Sequence, residues 1–336
     1  MDQDKPDIKK ILQNRILVLD GAMGTMLQQN NFSEADFRSE QFKNFQFPLK
    51  GNNDLLSITQ PEAVKAVHYQ YFEAGADIVE TNTFSSTTIG MADYHLEDFV
   101  YELNYQSAKI AKEVATEFTK QNPKKPRFVA GAIGPTNRTA SMSPDVNNPA
   151  YRAITFDELK TAYKQQVEAL IDGGCDILLV ETIFDTLNAK AALFAIEEVK
   201  ENRQINIPVM VSGTITDASG RTLSGQTVEA FLISVAHIPL LSIGFNCALG
   251  ADQLKPYLKQ LSQNTNLNIS AHPNAGLPNA FGQYDQTPTE MQLLIQDYLK
   301  DNLVNIIGGC CGTTPEHIKL IAKAVTDFEI QKSKNQ

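Results

Sequence analysis

The chain has 336 residues, 42% of them apolar and 20% charged, enough for two average domains or one large α/β barrel around an ordinary globular core. Its formal net charge of −10, with no basic run longer than Lys124-Lys125, argues against nucleic acid and against an anionic membrane surface as partners. No stretch approaches about 18 consecutive apolar residues and the first residues are unlike a signal peptide, so a cytoplasmic protein is expected. Its four cysteines (Cys175, Cys247, Cys310, Cys311) should then be reduced and available to a metal or to catalysis rather than to disulfides.

Residues 1–10 are polar and read as a flexible N-terminal tail, and 329–336 as a polar C-terminal tail, leaving 11–328 as the folded unit. Within it, short apolar runs at 16–20, 77–81, 128–132, 176–181, 208–212, 241–246, 267–271 and 304–308 alternate with longer amphipathic stretches. The runs are almost continuously hydrophobic, as strands buried on both faces are. Helical spacing marks 61–74, 98–120, 156–172, 186–202 and 291–302. The pairs Thr59/Glu62, Thr155/Glu158, Thr287/Glu290 and Thr313/Glu316 have the T-x-x-E spacing of a capping box, in which each side chain satisfies the other residue's free amide. Eight strands separated by helices predict a (β/α)8 TIM barrel with a parallel core. A doubly wound open sheet uses the same elements, and counting strands does not separate the two. The polar and aromatic stretch 31–54 lacks periodicity and is expected to be an insertion over the barrel's top.

In a barrel, chemistry collects at the C-terminal tips of the strands. Those tips are Asp20-Gly21-Ala22-Met23, Glu80-Thr81-Asn82-Thr83, Gly134-Pro135-Thr136-Asn137, Glu181-Thr182, Gly213-Thr214-Ile215-Thr216-Asp217, Asn246-Cys247, His272-Pro273-Asn274 and Cys310-Cys311. Cys175 precedes the fourth strand, at the opposite rim, and reads as a small buried apolar residue. Adjacent cysteines, about 3.8 Å apart at Cα, fall below the usual disulfide range. Gly-Gly-Cys-Cys-Gly-Thr-Thr before a helix start is open to two readings, a metal site or a phosphate site on the helix N-terminus. A third cysteine at the tip of strand six favours the metal. Three thiolates leaving a fourth position open make a catalytic type of zinc site, and soft sulfur ligands select zinc over harder metals. Zn²⁺ with three thiolates carries a net −1. Such a centre is a poor Lewis acid for carbonyl hydrolysis, but it holds a fourth thiol as an electron-rich thiolate, where a free thiol of pKa about 8.5 is only slightly ionised at neutral pH. The chemistry expected is attack by a substrate thiol on an alkyl donor. Asp20 and Glu181 are open to reading as helix caps or as the acids that hold a substrate ammonium, with the backbone N–H groups of Gly21, Ala22 and Met23 receiving its carboxylate. His272 is expected to be a satisfied hydrogen-bonding group rather than a fourth ligand.

These residues resemble the homocysteine S-methyltransferase family over about residues 10 to 327. The Asp-Gly-Ala-Met start, the Asn246-Cys247 tip and Gly308-Gly309-Cys310-Cys311-Gly312 carry the likeness. Longer strings, among them Gly134-Pro135-Thr136-Asn137-Arg138-Thr139-Ala140, the run from Ser212 to Thr227, and Ala271-His272-Pro273-Asn274-Ala275-Gly276-Leu277-Pro278, look like the homocysteine-binding module of cobalamin-dependent methionine synthase rather than its betaine- or S-methylmethionine-using relatives. The resemblance implies one zinc per chain held by Cys247, Cys310 and Cys311, with homocysteine sulfur as fourth ligand. It also implies that Asp20 and Glu181 hold the amino group, backbone at Gly21 and Ala22 the carboxylate, and that Asn246 supports the site. The methyl donor implied is methylcobalamin, replenished from 5-methyltetrahydrofolate, on cobalamin- and folate-binding domains absent here. A separate subunit of a split enzyme is therefore expected, rather than an excised fragment.

Overall fold

In the computed structural model, which describes residues 6–216 and 219–334, the strands form one eight-stranded parallel sheet. Strand β1 (Leu17–Val18) pairs with β8 (Ile306–Ile307), and the ladder continues through β7 (Asn268–Asn274), β6 (Ser242–Gly250), β5 (Val209–Gly213), β4 (Ile177–Ile183) and β3 (Phe128–Ile133) to β2 (Ile78–Glu80). A parallel bridge between Leu19 and Ile78 joins the two ends, so the sheet is a barrel and not an open doubly wound sheet. The seam is narrow because β1 is short. Asp77 strengthens it: its amide donates to the Val18 carbonyl, its carboxylate accepts from the Val18 amide, and Arg15 forks onto both carboxylate oxygens at 2.9 Å.

Alternation along each strand sorts side chains into two layers. Val18, Val79, Val129, Leu178, Val209, Val211, Ile243, Phe245, Ile269, Ala271 and Ile307 face the surrounding helices and form the larger core. Leu17, Leu19, Ile78, Phe128, Ala130, Ile177, Leu179, Met210 and Ile306 face the barrel axis and form a second cluster. Two residues later the inward positions turn polar, with Glu80, Glu181, Ser212, Asn246 and His272. The barrel is thus dry at its base and polar at its mouth.

Several expectations about local structure meet competition from the tertiary fold. Residues 8–10 belong to the helix Ile8–Leu12, whose buried Ile8 and Leu12 join the axial cluster and plug the barrel's base, where a flexible tail was expected. The last helix, Pro315–Lys334, continues through most of the expected polar tail. Residues 1–5 and 335–336 of those tails, and Asp217 and Ala218 of the tip after β5, lie outside the described residues. The boxes at Thr155/Glu158 and Thr287/Glu290 form. The box at Thr59/Glu62 does not: Gln60 is the cap of the helix Pro61–Glu73, and the Thr59 hydroxyl donates to the Leu55 carbonyl instead. Nor does Thr313 pair with Glu316, because its hydroxyl donates to the Cys310 carbonyl and accepts from the Ala22 amide. The 31–54 insertion contains a short helix, Glu34–Arg38, and ends at buried Asp54. The Asp54 carboxylate accepts from the Ser85 amide and the Ser86 hydroxyl, fastening the loop after β2.

Candidate metal centre

Strand alternation points Asn246 to the axis, so a regular strand would send Cys247 outward among the helices. The backbone prevents this. Cys247 and Ala248 both adopt left-handed conformations (φ 61° and 57°), and the pairing of β6 with β7 slips between Asn246 and Gly250. Two consecutive non-glycine residues in that region mark a strained bulge, a feature concentrated at functional sites. The bulge brings the Cys247 sulfur to 3.7 Å from that of Cys311, which in turn lies 4.0 Å from that of Cys310. All three sulfurs fall within 4.8 Å of one another. Tetrahedral ligands about 2.3 Å from zinc are separated by about 3.8 Å, so the spacing fits that ion with a fourth position left over.

The Cys310-Cys311 loop is held from three sides. The Cys310 amide donates to the Pro273 carbonyl, and the Cys311 carbonyl accepts from the Ala275 amide. Gly312 bends the chain with φ of +79°, and a Cβ there would stand 2.2 Å from that of Tyr284, so a side chain is blocked twice over. Tyr71 reaches up from the helix Pro61–Glu73 to the carbonyls of Ala22 and Thr313. Cys175, at the other end of the barrel, is buried and distant from this group, and none of the four cysteines is disulfide-bonded.

Packed together, the thiols polarise one another. Cys311 accepts from Cys247 and then from Cys310, which pulls its pKa down to about 3. Cys310 is pushed well up by its hydrogen bonds to Cys247 and Cys311 and by burial. Cys247 rises to about 11, since the hydrogen bond with Cys310 that lowers it is outweighed by Cys311 and burial. One sulfur ionises readily and the other two need an added positive charge to follow, which a divalent cation supplies.

Beside the sulfurs lies a buried carboxylate group. Asp20 and Glu181 are 2% and 5% exposed, and neither caps a helix. Burial, then the Glu181 charge against the opposing pull of the Glu80 amide, holds Asp20 well above the usual carboxylate range. Burial raises Glu181 to about 7, against a hydrogen bond from Thr182. Asn246 links the two groups: its amide nitrogen contacts Thr182 Oγ1 (2.7 Å), Glu181 Oε2 (3.3 Å) and the Cys310 sulfur (3.9 Å). Its oxygen accepts from the Thr182 amide and the Ser212 hydroxyl. Of the backbone donors expected to take a carboxylate, the Ala22 amide is already bonded to Thr313 Oγ1 at 3.2 Å.

The mouth also differs from expectation at His272. It is buried, yet neither ring nitrogen has a hydrogen-bond partner, and burial pulls its pKa down to about 3. Glu80, whose carboxylate lies 4.0 Å from His272 Nδ1, is not singled out by the sequence reading. Counting two residues on from inward-facing Ile78 would have found it.

The fold and site define a barrel enzyme with a cup of three cysteines at the strand tips that could hold a metal ion, set against buried acids. The family model of homocysteine S-methyltransferase matches residues 17–325, and this chain belongs to that family, whose substrate is homocysteine. Among solved structures it is similar to the homocysteine methyltransferase MmuM from Escherichia coli. The metallated form shares 24% identity over 94% of this chain and 99% of that one, with a TM-score of 0.72. The oxidized form shares 23% identity over 95% and 99%, with a TM-score of 0.73. The apo form shares 22% over 94% and 97%, with a TM-score of 0.66. Among the described residues no helix is long and apolar enough to cross a membrane.

Proposed function

We propose that this protein methylates the sulfur of homocysteine to give methionine, with the methyl group taken from methylcobalamin on a partner subunit or domain. The observation that carries the reading is the spacing of the three sulfurs at the mouth of a barrel whose neighbouring polar groups are acids. Cys247, Cys310 and Cys311 would hold Zn²⁺, which when bound supplies the positive charge that keeps a fourth thiol ionised. Asp20 and Glu181 accept from the substrate ammonium, and Asn246 keeps Glu181 in register with the Cys310 sulfur. The Gly21 amide receives the carboxylate in this reading, since that of Ala22 already donates to Thr313 Oγ1. The substrate thiol loses its proton to solvent, its sulfur gives an electron pair to the methyl carbon, and the bond from carbon to donor breaks with its electron pair left on the donor. The resemblance of the long strings to the cobalamin-dependent module favours that donor over small sulfonium or betaine donors.

The test is turnover of homocysteine by the zinc-loaded protein with methylcobalamin, S-methylmethionine and betaine in separate assays. Methionine formed from methylcobalamin, and faster when a cobalamin-carrying protein presents it, supports the reading. Turnover with either small donor and none with methylcobalamin replaces it with a stand-alone methyltransferase. Homocysteine binding without turnover from any donor leaves a thiol-binding module.

A further inference from the structure

Three carboxylates converge at the mouth: Asp20, Glu80 and Glu181. Glu80 comes from β2 and shares its inward face with Ile78, and its amide donates to Asp20 Oδ2 at 3.0 Å. Among the described residues no lysine or arginine forms an ion pair with any of the three. The one side chain of possible positive charge within ion-pair reach of Glu80, among the described residues, is His272, at 4.0 Å. That histidine is 1% exposed and held neutral by burial, so it does not balance the charge. Three acids together without a cation are unstable as three anions, and although the Glu80 side chain is 21% exposed, burial followed by the charges of Glu181 and Asp20 pushes it well up. The cup also leaves hydrogen-bonding atoms without partners: Asp20 Oδ1 and both ring nitrogens of His272, on residues at most 2% exposed. Buried polar groups are as a rule satisfied, which leaves Asp20 Oδ1 able to accept from a ligand and the His272 ring able to bond the Glu80 carboxylate beside it.

A primary ammonium is the head group that fits. It carries the missing charge and three N–H donors, and Asp20 and Glu181 account for two of them. We propose that Glu80 takes the third N–H and is a specificity-determining residue for the α-ammonium of the substrate, with His272 as the positioning residue that sets the Glu80 carboxylate. Their separation of 4.0 Å is long for a hydrogen bond and is expected to tighten once the ammonium draws Glu80 inward. The inference rests on the homocysteine reading above and adds to it the group that rejects thiols without an amine.

The experiment uses the full chain loaded with Co²⁺, whose near-ultraviolet sulfur-to-metal absorption reports ligation of any thiol without turnover. Homocysteine is titrated against 4-mercaptobutyrate, which keeps thiol and carboxylate and lacks the amine. Wild type should prefer homocysteine. Glu80→Gln should weaken homocysteine about 10- to 100-fold, as expected for a lost charge-assisted hydrogen bond, while leaving 4-mercaptobutyrate within about twofold. Glu80→Asp should recover part of the loss, and His272→Gln should show a smaller loss, again with homocysteine alone. A Glu80→Gln protein that keeps the wild-type preference overturns the proposal, as does one that weakens both thiols equally, which marks a structural role. Should Glu80→Gln fail to fold, Glu80→Asp and His272→Gln decide by the same criterion. If wild type ligates neither thiol, the homocysteine reading itself falls, and that outcome is seen before any variant is made.

Discussion

The side-chain amide of Asn246, on β6, reaches across β5 to Glu181 Oε2 on β4 at 3.3 Å. The same nitrogen faces the Cys310 sulfur, so one residue sets the distance between the acid that would hold the amine and the metal ligand that would meet the thiol. Groups that orient metal ligands typically contribute 10- to 100-fold to activity or metal affinity. Asn246→Ala should therefore lower kcat/KM for homocysteine about 10- to 100-fold while leaving the far-ultraviolet circular dichroism unchanged. A loss under about twofold would show that the link is structural only.

Replacing Cys247, Cys310 or Cys311 by alanine should take bound zinc from about one equivalent per chain to below about 0.2, because two thiolates no longer form a tight zinc site. Cys175→Ala, at the far rim, should keep full metal. Metal analysis after dialysis checks both, and methyl transfer should track the metal.

Glu181 gives a pH signature. Its folded pKa of about 7 lies above the unfolded value near 4.3, so the folded protein holds a proton that the unfolded chain has already released in between. The stability that this proton supplies is complete below the unfolded value and is lost as pH rises through about 7. Glu181→Gln should then stabilise the metal-free, ligand-free protein at pH 8, on the order of 2 kcal/mol, with little effect near pH 4. Thermal unfolding at the two pH values measures the difference. An equal effect at both would show that Glu181 does not carry the proton.

The helix Ile8–Leu12 plugs the base of the barrel with two buried side chains. Leu12→Ala should cost about 2–4 kcal/mol in denaturant unfolding, from lost burial and the cavity left behind. Bound zinc should remain at the wild-type level, since the sulfurs lie at the opposite rim.

Much of the fold is legible in short-range pattern. All eight apolar runs overlap strands, and the helix Phe156–Asp172 falls where its spacing and its Thr155/Glu158 box place it. Those features are local, because a helix cap or a strand face is set by residues a few positions apart. The cysteines at strand tips were legible for the same reason. Their convergence on one metal site was expected too, but not the means, since alternation alone turns Cys247 away from Cys310 and only the left-handed pair at Cys247 and Ala248 turns it back. Thr313 shows the same limit: its spacing to Glu316 suits a cap, but the Cys310 carbonyl and the Ala22 amide compete for the hydroxyl and win. The sequence by itself determined the alternation of strands and helices and the chemistry carried at their tips. Barrel closure decided the rest, because hydrogen bonds and packing between residues far apart in the chain outweigh local preference wherever both claim the same atom.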